Sequence, residues 1–431
     1  MADYITELPD DILCYILSLL TVRDTFRVKS LSSTWKNLPD CRSVLWFDDY
    51  TILGKDSCDV SLARKSKFVK AVDQFLEIWR AQKTIALKIK FDLGNKYASH
   101  INGWIASVCD KEIEELDFDF MPYYLKARGD EYVFPFHLFD TDRGSCLKHL
   151  RLTYCDLRSI CGTRTSWLSK LSTIELTNVP LHLSDLECIL SGSLNLESLS
   201  MIDCRIYGYL RFQHPFLKKI IISEDCQYVE LVCPRLETFD FLGRSQFKFV
   251  CVPLLQEVSL KLYYNVRGVA SVFSDLAREV PQLETLSLWV NSEVRPLPPN
   301  VTMPCLKRLD LRADIKIGFN LFTITHFLYA CPVLQELCLQ VNPRFRKARP
   351  HELGPQLQYE DRPHFHLKEF KINGLYPGFS TLELIKYLLR NGVSLERMVF
   401  VLGAKLSPMC RSHPKFIMLQ NDNPAVELIC I

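Results

Sequence analysis

The chain has 431 residues, 48% of them hydrophobic and 24% charged, with a formal net charge of +2. This length exceeds what one compact core holds and predicts either several domains or a stack of repeats. So small a net charge gives no overall attraction to nucleic acid or anionic lipid, so neither is expected as a partner. The N-terminus is acidic, unlike a secretory signal, and the longest nearly apolar run, Ile12 to Leu20, is too short to span a bilayer. We therefore expect a protein of the cytoplasm, the nucleus or both.

Residues 5–38 predict a small helical module. Leu8-Pro9-Asp10-Asp11 places a proline and two acids at a helix start, where negative charge suits the helix dipole. Thr21-Val-Arg-Asp24 has the spacing of a capping box for a second helix. A module of about 40 residues is marginally stable alone, so we expect its exposed apolar residues to need a partner. The apolar positions recur at helical spacing, first as Ile12, Leu13, Ile16, Leu17 and Leu20, then as Phe26, Leu31, Trp35 and Leu38.

This stretch resembles an F-box over its whole length, and it is similar to the version in plant proteins that also carry leucine-rich repeats. The resemblance rests on Leu8–Leu13, Ile16–Leu19, Arg23-Asp24 and Ser33–Leu38. It implies that Trp35 packs in the module's own core and that the first helix docks on the Skp-type adaptor of an SCF ubiquitin ligase. The alternative is an N-terminal helical cap for the fold that follows, and both roles are compatible. The residues implied to contact or frame the adaptor are Leu8, Pro9, Asp10, Ile12, Leu13, Ile16, Leu17 and Leu20.

Residues 41–112 alternate between helical and strand-like patterns. The apolar spacing from Phe68 to Trp79 predicts an amphipathic helix, and that from Ile101 to Val108 predicts another. Between them, Ile85-Ala-Leu87-Lys-Ile89 alternates as a strand does. An array of helix–strand repeats begins in this way, and we expect it to start near residue 60.

From Ile113 onward the chain repeats one phrase: an apolar residue, two free positions, an apolar residue, one free position and a third apolar residue. Leu283-Glu-Thr-Leu286-Ser-Leu288 is a clear copy, and a weaker one starts at Thr84. The last two apolar positions are two apart, so a strand points both to one face, where stacked neighbours bury them. Copies begin, about 26 residues apart on average, at Ile113, Leu147, Leu171, Leu196, Leu217, Leu236, Leu255, Leu283, Leu306, Leu334, Leu367 and Leu395.

Two further features are typical of leucine-rich repeats. Cys155, Cys204, Asn291 and Asn342 stand three positions after the last apolar residue, where such repeats take Asn or Cys. We therefore predict an α/β leucine-rich repeat solenoid, with parallel strands on one face and helices and loops on the other. The alternative is a set of ordinary apolar strands in an unrelated fold. A proline also precedes the first apolar position by two residues and ends the returning segment, at Pro215, Pro234, Pro253, Pro281, Pro304 and Pro332.

The repeat lengths vary along the array. The 19-residue steps from Leu217 to Leu236 and from Leu236 to Leu255 leave little room for a returning helix. Steps of 28 residues hold one, predicted at Val269–Val280 and at Ile324–Ala330. Longer insertions interrupt the array at residues 122–145 and 343–366, and such loops often gather on a binding face.

The second insertion carries a basic cluster that is a candidate target-binding loop, since arginine forks match acidic or phosphorylated groups. The alternative is a solvated loop without a partner. His351, His364 and His366 have no acid or thiol at ligand spacing, so we expect no metal site and no other cofactor. The seventeen cysteines include no Cys-x-x-Cys pair, which favours free thiols packed as small hydrophobic residues. The basic cluster consists of Arg344, Arg346, Lys347 and Arg349.

The C-terminal part predicts a strand at Leu367–Ile372, a helix at Thr381–Asn391 and a strand at Leu395–Phe400. This stretch is similar to the FBD domain, which ends many plant F-box chains with leucine-rich repeats. Phe416–Leu419 is predicted to add a terminal strand. The resulting domains are an F-box at 1–45, a helical linker with degenerate first repeats at 46–112, leucine-rich repeats at 113–350, and FBD-like repeats with a cap at 351–431.

The sequence holds no Gly-rich phosphate loop, no Gly-x-Ser-x-Gly elbow and no His-Glu-x-x-His motif. Asp117 and Asp119 flank Phe118 on a repeat strand and are expected to face outward as a solvated ridge. The resemblance implies a non-catalytic, substrate-recognition subunit of a cullin–RING ligase, with the Skp-type adaptor and cullin as partners and an unidentified protein as target. The alternatives are a ligase-independent repeat scaffold and a receptor that needs a small molecule to complete its target site.

Overall fold

The structure, a computed structural model, divides into two compact units, Met1–Ile206 and Tyr207–Ile431. Parallel β-strands dominate both units, because the repeat phrase gives each strand two inward apolar positions. The residues that the structure describes are 8–40, 42–54, 61–79, 83–109, 111–123, 129–139, 146–157, 160, 166–263, 268–290, 295–315, 321–343, 361–373, 379–401 and 425–430.

The first unit starts with helices and continues as a parallel sheet. Its α-helices are α1 (Asp10–Leu19), α2 (Val22–Lys29), α3 (Ser33–Asn37), α4 (Asp49–Leu53), α5 (Leu62–Ile78), α6 (Ala98–Cys109) and α7 (Leu183–Gly192), with 3₁₀ helices at Asn95–Tyr97, Phe136–Phe139 and Ser166–Lys170. Its strands are β1 (Val44–Asp48), β2 (Ala86–Lys90), β3 (Glu115–Asp119), β4 (Tyr132–Val133), β5 (His149–Thr153), β6 (Cys155–Asp156), β7 (Thr173–Thr177) and β8 (Ser198–Ile202). The sheet order is β1-β2-β3-β5-β7-β8, while β4 pairs separately with β6.

The second unit has the same plan with fewer helices. Its strands are β9 (Tyr209–Gln213), β10 (Lys219–Glu224), β11 (Tyr228–Val232), β12 (Thr238–Gly243), β13 (Gln246–Cys251), β14 (Glu257–Leu262), β15 (Thr285–Val290), β16 (Arg308–Ile315), β17 (Glu336–Pro343), β18 (Glu369–Asn373), β19 (Arg397–Val401) and β20 (Glu427–Cys430). Its helices are α8 (Gly268–Glu279), α9 (Thr325–Ala330) and α10 (Phe379–Asn391), with a 3₁₀ helix at Leu321–Ile324. The main sheet runs from β10 through β12 and β14 to β20 in chain order.

The repeat phrase marks the strands correctly. Each main-sheet strand from β3 onward begins two residues after a predicted first apolar position, except the terminal strand β20. Leu286 of β15, Leu309 of β16 and Leu337 of β17 are register partners in adjacent parallel strands. All three side chains are at most 1% exposed. The alternative of unrelated apolar strands in separate sheets is therefore wrong.

The phased prolines sit in tight turns that start the strands. The Leu283 N–H donates to the Val280 carbonyl at 3.2 Å, across Pro281, and the Leu334 N–H donates to the Cys331 carbonyl at 3.2 Å across Pro332. This is a β-turn with proline at its second position, where its fixed φ fits without strain. The prediction that proline ends the returning segment is confirmed.

In the short repeats, the segment that connects one main-sheet strand to the next is itself a strand. Between the main-sheet strands β8 and β14, the returning segments form β9, β11 and β13, a parallel sheet in the order β13-β11-β9. An extended segment covers more length per residue than a helix, so it closes a 19-residue step. The long steps contain α8 and α9, close to the predicted bounds.

Several details differ from the expectations. The first sheet begins at β1, ahead of the expected start near residue 60, because Leu45 and Phe47 supply a strand's inward positions outside any copy of the phrase. Leu31 is 77% exposed and does not join the module's apolar side. Cys188 is disulfide-bonded, so the expectation of free thiols is wrong at that position; an odd cysteine count does not forbid a pair. Phe416–Leu419 lies outside the described residues, and the terminal strand is β20.

Candidate adaptor-docking helix and repeat surfaces

Helix α1 has an inner face that belongs to the module's own core. Leu13 and Leu17 are fully buried and pack with Trp35 and Leu38, as predicted for the tryptophan. Ile16 and Leu20 are partly buried against this cluster. Leu13 and Leu17 therefore belong to the module's core and hold the helix in place, which fits framing an adaptor site better than direct contact.

The opposite face of α1 carries a second apolar row that is open to solvent. Leu8, Ile12, Tyr15 and Leu19 are 38%, 43%, 63% and 68% exposed, and we call these four residues the outer stripe. The spacing of Ile12, Tyr15 and Leu19 places them on one side of α1, and Leu8 precedes the helix by two positions. Pro9 and Asp10, also among the predicted adaptor residues, are exposed at the start of the helix. Tyr15 and Leu19 are not among the adaptor residues predicted from the sequence, although their spacing from Ile12 already indicates a second stripe.

A buried ion pair fixes the carboxyl end of α1. The Arg42 guanidinium bonds to both carboxylate oxygens of Asp40, at 2.8 and 2.6 Å. It also donates to the carbonyls of Leu17 and Leu20, both at 3.0 Å, and to the Thr25 hydroxyl at 2.9 Å. The last carbonyls of a helix lack the full set of partners within the helix. Arg42 supplies a donor to the Leu20 carbonyl and a second donor to the Leu17 carbonyl, which also accepts the Leu20 N–H at 3.2 Å.

The same arginine joins the helical module to the first rung of the sheet. Its carbonyl accepts the indole N–H of Trp79 at 3.1 Å, and its guanidinium lies 5.1 Å from the Phe75 ring centroid. Phe26 of α2 packs edge-on against Phe75, with centroids 6.3 Å apart, and Phe75 in turn contacts Phe47 of β1. The module is therefore packed against the first rung, as a capping role requires.

Helix α2 begins as the sequence predicts, with one difference. The Thr21 hydroxyl accepts the Asp24 N–H at 3.1 Å, which is the expected half of a capping box. The same hydroxyl donates to the Asp24 carboxylate at 2.8 Å. This hydrogen bond, followed by the contribution of Arg27, holds the pKa of Asp24 below its usual value.

The outward residues of the strands in the first unit form a ladder of ion pairs. Lys88 contacts Glu115 at 2.6 Å, and Arg151 contacts both Asp117 at 3.1 Å and Glu175 at 2.7 Å. Burial raises the pKa of Asp117, and the neighbouring cations oppose this. Asp117 faces outward as predicted, but it is half-buried and paired, so this surface neutralises its own charges.

The outward face of β14 to β18 in the second unit is different, because it forms a shallow depression of about 500 Å³. Trp289 and Arg312 lie at its centre, with the guanidinium 4.9 Å from the indole centroid. Lys261 and Lys371 also line it. Aromatic and cationic side chains together suit a protein-binding surface.

The other predicted positions do not assemble into a site in the described residues. Arg344, Arg346, Lys347 and Arg349 lie outside the part of the chain that the structure describes. The His364 Nε2 is 2.9 Å from the Tyr387 hydroxyl, which donates to the Tyr329 hydroxyl at 3.0 Å. Burial lowers the pKa of His364 to about 4. Over the described residues there is no cluster of His, Cys, Asp and Glu that could hold a metal ion.

The thiols at the turn positions are buried beside backbone carbonyls. The Cys204 thiol lies 3.4 Å from the Leu176 carbonyl, and the Cys155 thiol lies 3.6 Å from the Thr153 carbonyl. These contacts confirm that the position suits a small group which satisfies the backbone where the strand turns. No helix among the described residues is long and apolar enough to cross a membrane.

Comparison with known proteins agrees with these features. The profile of the F-box domain matches residues 5–46, and the profile described as At1g61320/AtMIF1, LRR domain, matches residues 80–416. The FBD-associated F-box protein At1g61320 of Arabidopsis thaliana is 25% identical over 69% of this chain and 68% of its own length. Two other proteins of that plant match over nearly the whole chain.

One is the putative F-box/FBD/LRR-repeat protein At5g22670, which is 24% identical over 94% of this chain and 91% of its own length. The other is the F-box/FBD/LRR-repeat protein At5g44980, which is 23% identical over 99% of both chains. The repeat profile alone spans well over half of the sequence, and the helical module and the parallel rungs are both present in the structure. The chain belongs to the plant family of F-box proteins with leucine-rich repeats and an FBD region.

Proposed function

We propose that this protein is the substrate-recognition subunit of an SCF-type, cullin–RING ubiquitin ligase. Its F-box binds a Skp-type adaptor, the adaptor links it to cullin, and the repeats bind a protein target in the cytoplasm or nucleus. The subunit itself performs no chemistry. The observation that supports this proposal best is the outer stripe of α1, an apolar row held open to solvent on a helix whose other face is fully packed.

An apolar helical stripe fits the groove of a partner protein. Residues at helical spacing enter such a groove side by side and bury their side chains together. Each of the four stripe residues is at least 38% exposed, so an adaptor gains apolar contact area without disturbing the core of the module. Leu13 and Leu17 support the stripe from within, and Pro9 and Asp10 border it at the start of the helix.

The repeats contribute by proximity. A target bound to the same chain as the adaptor is held near the activated ubiquitin, so the transfer to a target lysine becomes effectively intramolecular. We assign the F-box to residues 1–45, degenerate first repeats to 46–112, the repeats to 113–350 and the FBD-like part to 351–431. The basic cluster from Arg344 to Arg349 remains a candidate target-binding loop.

The test replaces outer-stripe residues by a charged residue. We expect Ile12→Asp or Leu19→Asp to weaken capture of a purified plant Skp-type adaptor by about a hundredfold, because a buried unpaired carboxylate costs several kcal/mol. Leu31→Asp is the matched control, since Leu31 is a 77% exposed leucine of the same module outside the stripe. Replacing Leu8 and Pro9 is expected to act like the stripe variants, with the repeats still folded.

The measurement is the dissociation constant, with circular dichroism to verify folding. If the stripe variants and Leu31→Asp bind the adaptor equally well, the docking face is not α1. If the unmodified chain fails to bind any Skp-type adaptor, the module is a cap and the protein is a ligase-independent scaffold.

A further inference from the structure

The depression on the second unit is built from aligned side chains of neighbouring strands. Lys261 of β14, Trp289 of β15, Arg312 of β16 and Gln340 of β17 are successive register partners. Side chains at register positions stand next to one another on a sheet face. We call Lys261, Trp289, Arg312, Gln340 and Lys371 the cationic pocket; it is open and has a volume of about 500 Å³.

Arg312 is held in place without being neutralised. One side of its guanidinium lies over the Trp289 ring, and its Nε–H donates to the Gln340 side-chain oxygen. An arginine has five N–H donors, so this arrangement leaves its two terminal nitrogens available. No described carboxylate pairs with Arg312. Because the Arg312 side chain is already ordered, it loses little conformational entropy when it binds an anion.

The two glutamates that line the pocket, Glu336 and Glu369, each lie beside an arginine. Glu336 pairs with Arg308 at 3.2 Å, and Glu369 lies 4.0 Å from Arg397. Lys261 and Lys371 have no carboxylate within ion-pair distance among the residues described. The pocket therefore has a positive side that its own acids do not compensate, unlike the paired ladder on the first unit.

Asp310 also lines the pocket, but its charge is compensated. Its carboxylate pairs with Arg308 at 3.5 Å and its Oδ1 is buried. Burial and this carboxylate together raise the pKa of the neighbouring Cys338 thiol to about 11. The charged groups that the pocket leaves unpaired among the described residues are therefore cations.

We propose that the cationic pocket is the part of the repeats that recognises the target, by binding an anionic side chain within an extended peptide segment. Arg312 and the two lysines bind the oxyanion, and Trp289 packs against the adjacent carbon chain. The shared ligand chemistry is an oxyanion on a peptide, either a carboxylate or a phosphate ester. This inference rests on the proposed target-binding role and specifies its chemistry.

The test measures binding of labelled peptide pools to the full-length protein by fluorescence polarisation. Four pools differ only at a fixed central residue, which is Asp, Glu, phosphoserine or Ser, in an otherwise randomised nonacidic sequence. We expect at least one anionic pool to bind about tenfold more tightly than the Ser pool, since charge-assisted bonds are the stronger ones. The comparison of Glu with phosphoserine identifies which oxyanion the pocket prefers.

The variants locate the binding. Arg312→Gln is expected to abolish the difference between anionic and Ser pools, and Arg312→Lys to restore it only in part, since lysine lacks the planar fork. Arg151→Gln removes an outward arginine of the first unit that is already paired, and it is expected to leave the difference unchanged. Thermal melts verify that each variant is folded.

Two results overturn the inference: equal binding of all four pools by the unmodified protein, or an anion preference that persists in folded Arg312→Gln. Adaptor capture, measured on the same samples, reports the proposed ligase role separately. Adaptor binding without any anion preference contradicts the pocket alone, whereas anion-dependent peptide binding without adaptor capture contradicts the ligase role alone.

Discussion

Replacing Arg42 by methionine is expected to unfold the F-box while leaving the repeats intact. The side chains of Arg42 and Asp40 are 9% and 0% exposed, so methionine leaves a buried carboxylate without its partner. The Leu20 carbonyl loses the Arg42 donor at the same time, and the Leu17 carbonyl retains only the Leu20 N–H. Removing one member of a buried ion pair costs about 3–5 kcal/mol, which exceeds the margin that a module of about 40 residues has by itself.

Hydrogen exchange followed by mass spectrometry measures this effect locally. A loss of about 3 kcal/mol raises the exchange rate of the α1 amides by about a hundredfold, with little change in β14 to β18. Arg27→Met is the matched control, because Arg27 is a 61% exposed arginine that pairs with Asp24 on the surface. Such pairs contribute about 0–1 kcal/mol. Unchanged exchange in α1 of Arg42→Met, or equal acceleration in all regions, would refute this reasoning.

Three further predictions concern the repeats. Leu286→Ala is expected to destabilise the second unit by about 2–5 kcal/mol in urea titrations, because it leaves a cavity at a fully buried position. The control Ser287→Ala, on the outward face of the same strand, is expected to change the stability little. Equal effects of the two substitutions would contradict the assigned strand faces. Burial lowers the pKa of His364 from 6.5 to about 4. The unfolded chain therefore binds an extra proton between these values, so the free energy of unfolding falls as the pH is lowered through this range. His364→Gln is expected to flatten that pH dependence in thermal melts, and an unchanged profile would show that another group is responsible. A maleimide is expected to label the exposed Cys305 before the buried Cys233, because burial raises the pKa of the Cys233 thiol to about 11. Mass spectrometry of the labelled native protein measures both rates, and equal labelling would contradict the burial of Cys233.

The strands were predictable because one local rule repeats. Leu283, Leu306 and Leu334 each follow a proline by two residues, and spacing alone gives their strand and its inward face. β1 escaped this rule, since Leu45 and Phe47 alternate as a strand without the leucine that opens each phrase. The strands β9, β11 and β13 also escaped it, because a short step excludes a helix but does not specify what replaces it.

The candidate sites were less predictable because they depend on exposure and pairing. Leu13 and Leu19 are both apolar residues of α1, yet one is fully buried and the other is 68% exposed. The inner face is decided by tertiary packing against Val28, Trp35 and Leu38. Likewise, Arg151 and Arg312 are both outward arginines of the repeat strands, and their difference in pairing comes from their register partners, Glu175 for Arg151 and Gln340 for Arg312.

The attachment of the F-box to the first rung has a consequence for how a ligase built on it works. Asn37, the last residue of α3, precedes the first residue of β1 by only seven positions, and the Arg42 side chain and carbonyl hold both sides of this junction. Because both sides of this junction are held, α1 and β1 are expected to move together. If the proposed adaptor binds α1, its orientation is therefore fixed relative to the first rung, and the linker between module and sheet contributes no freedom of its own.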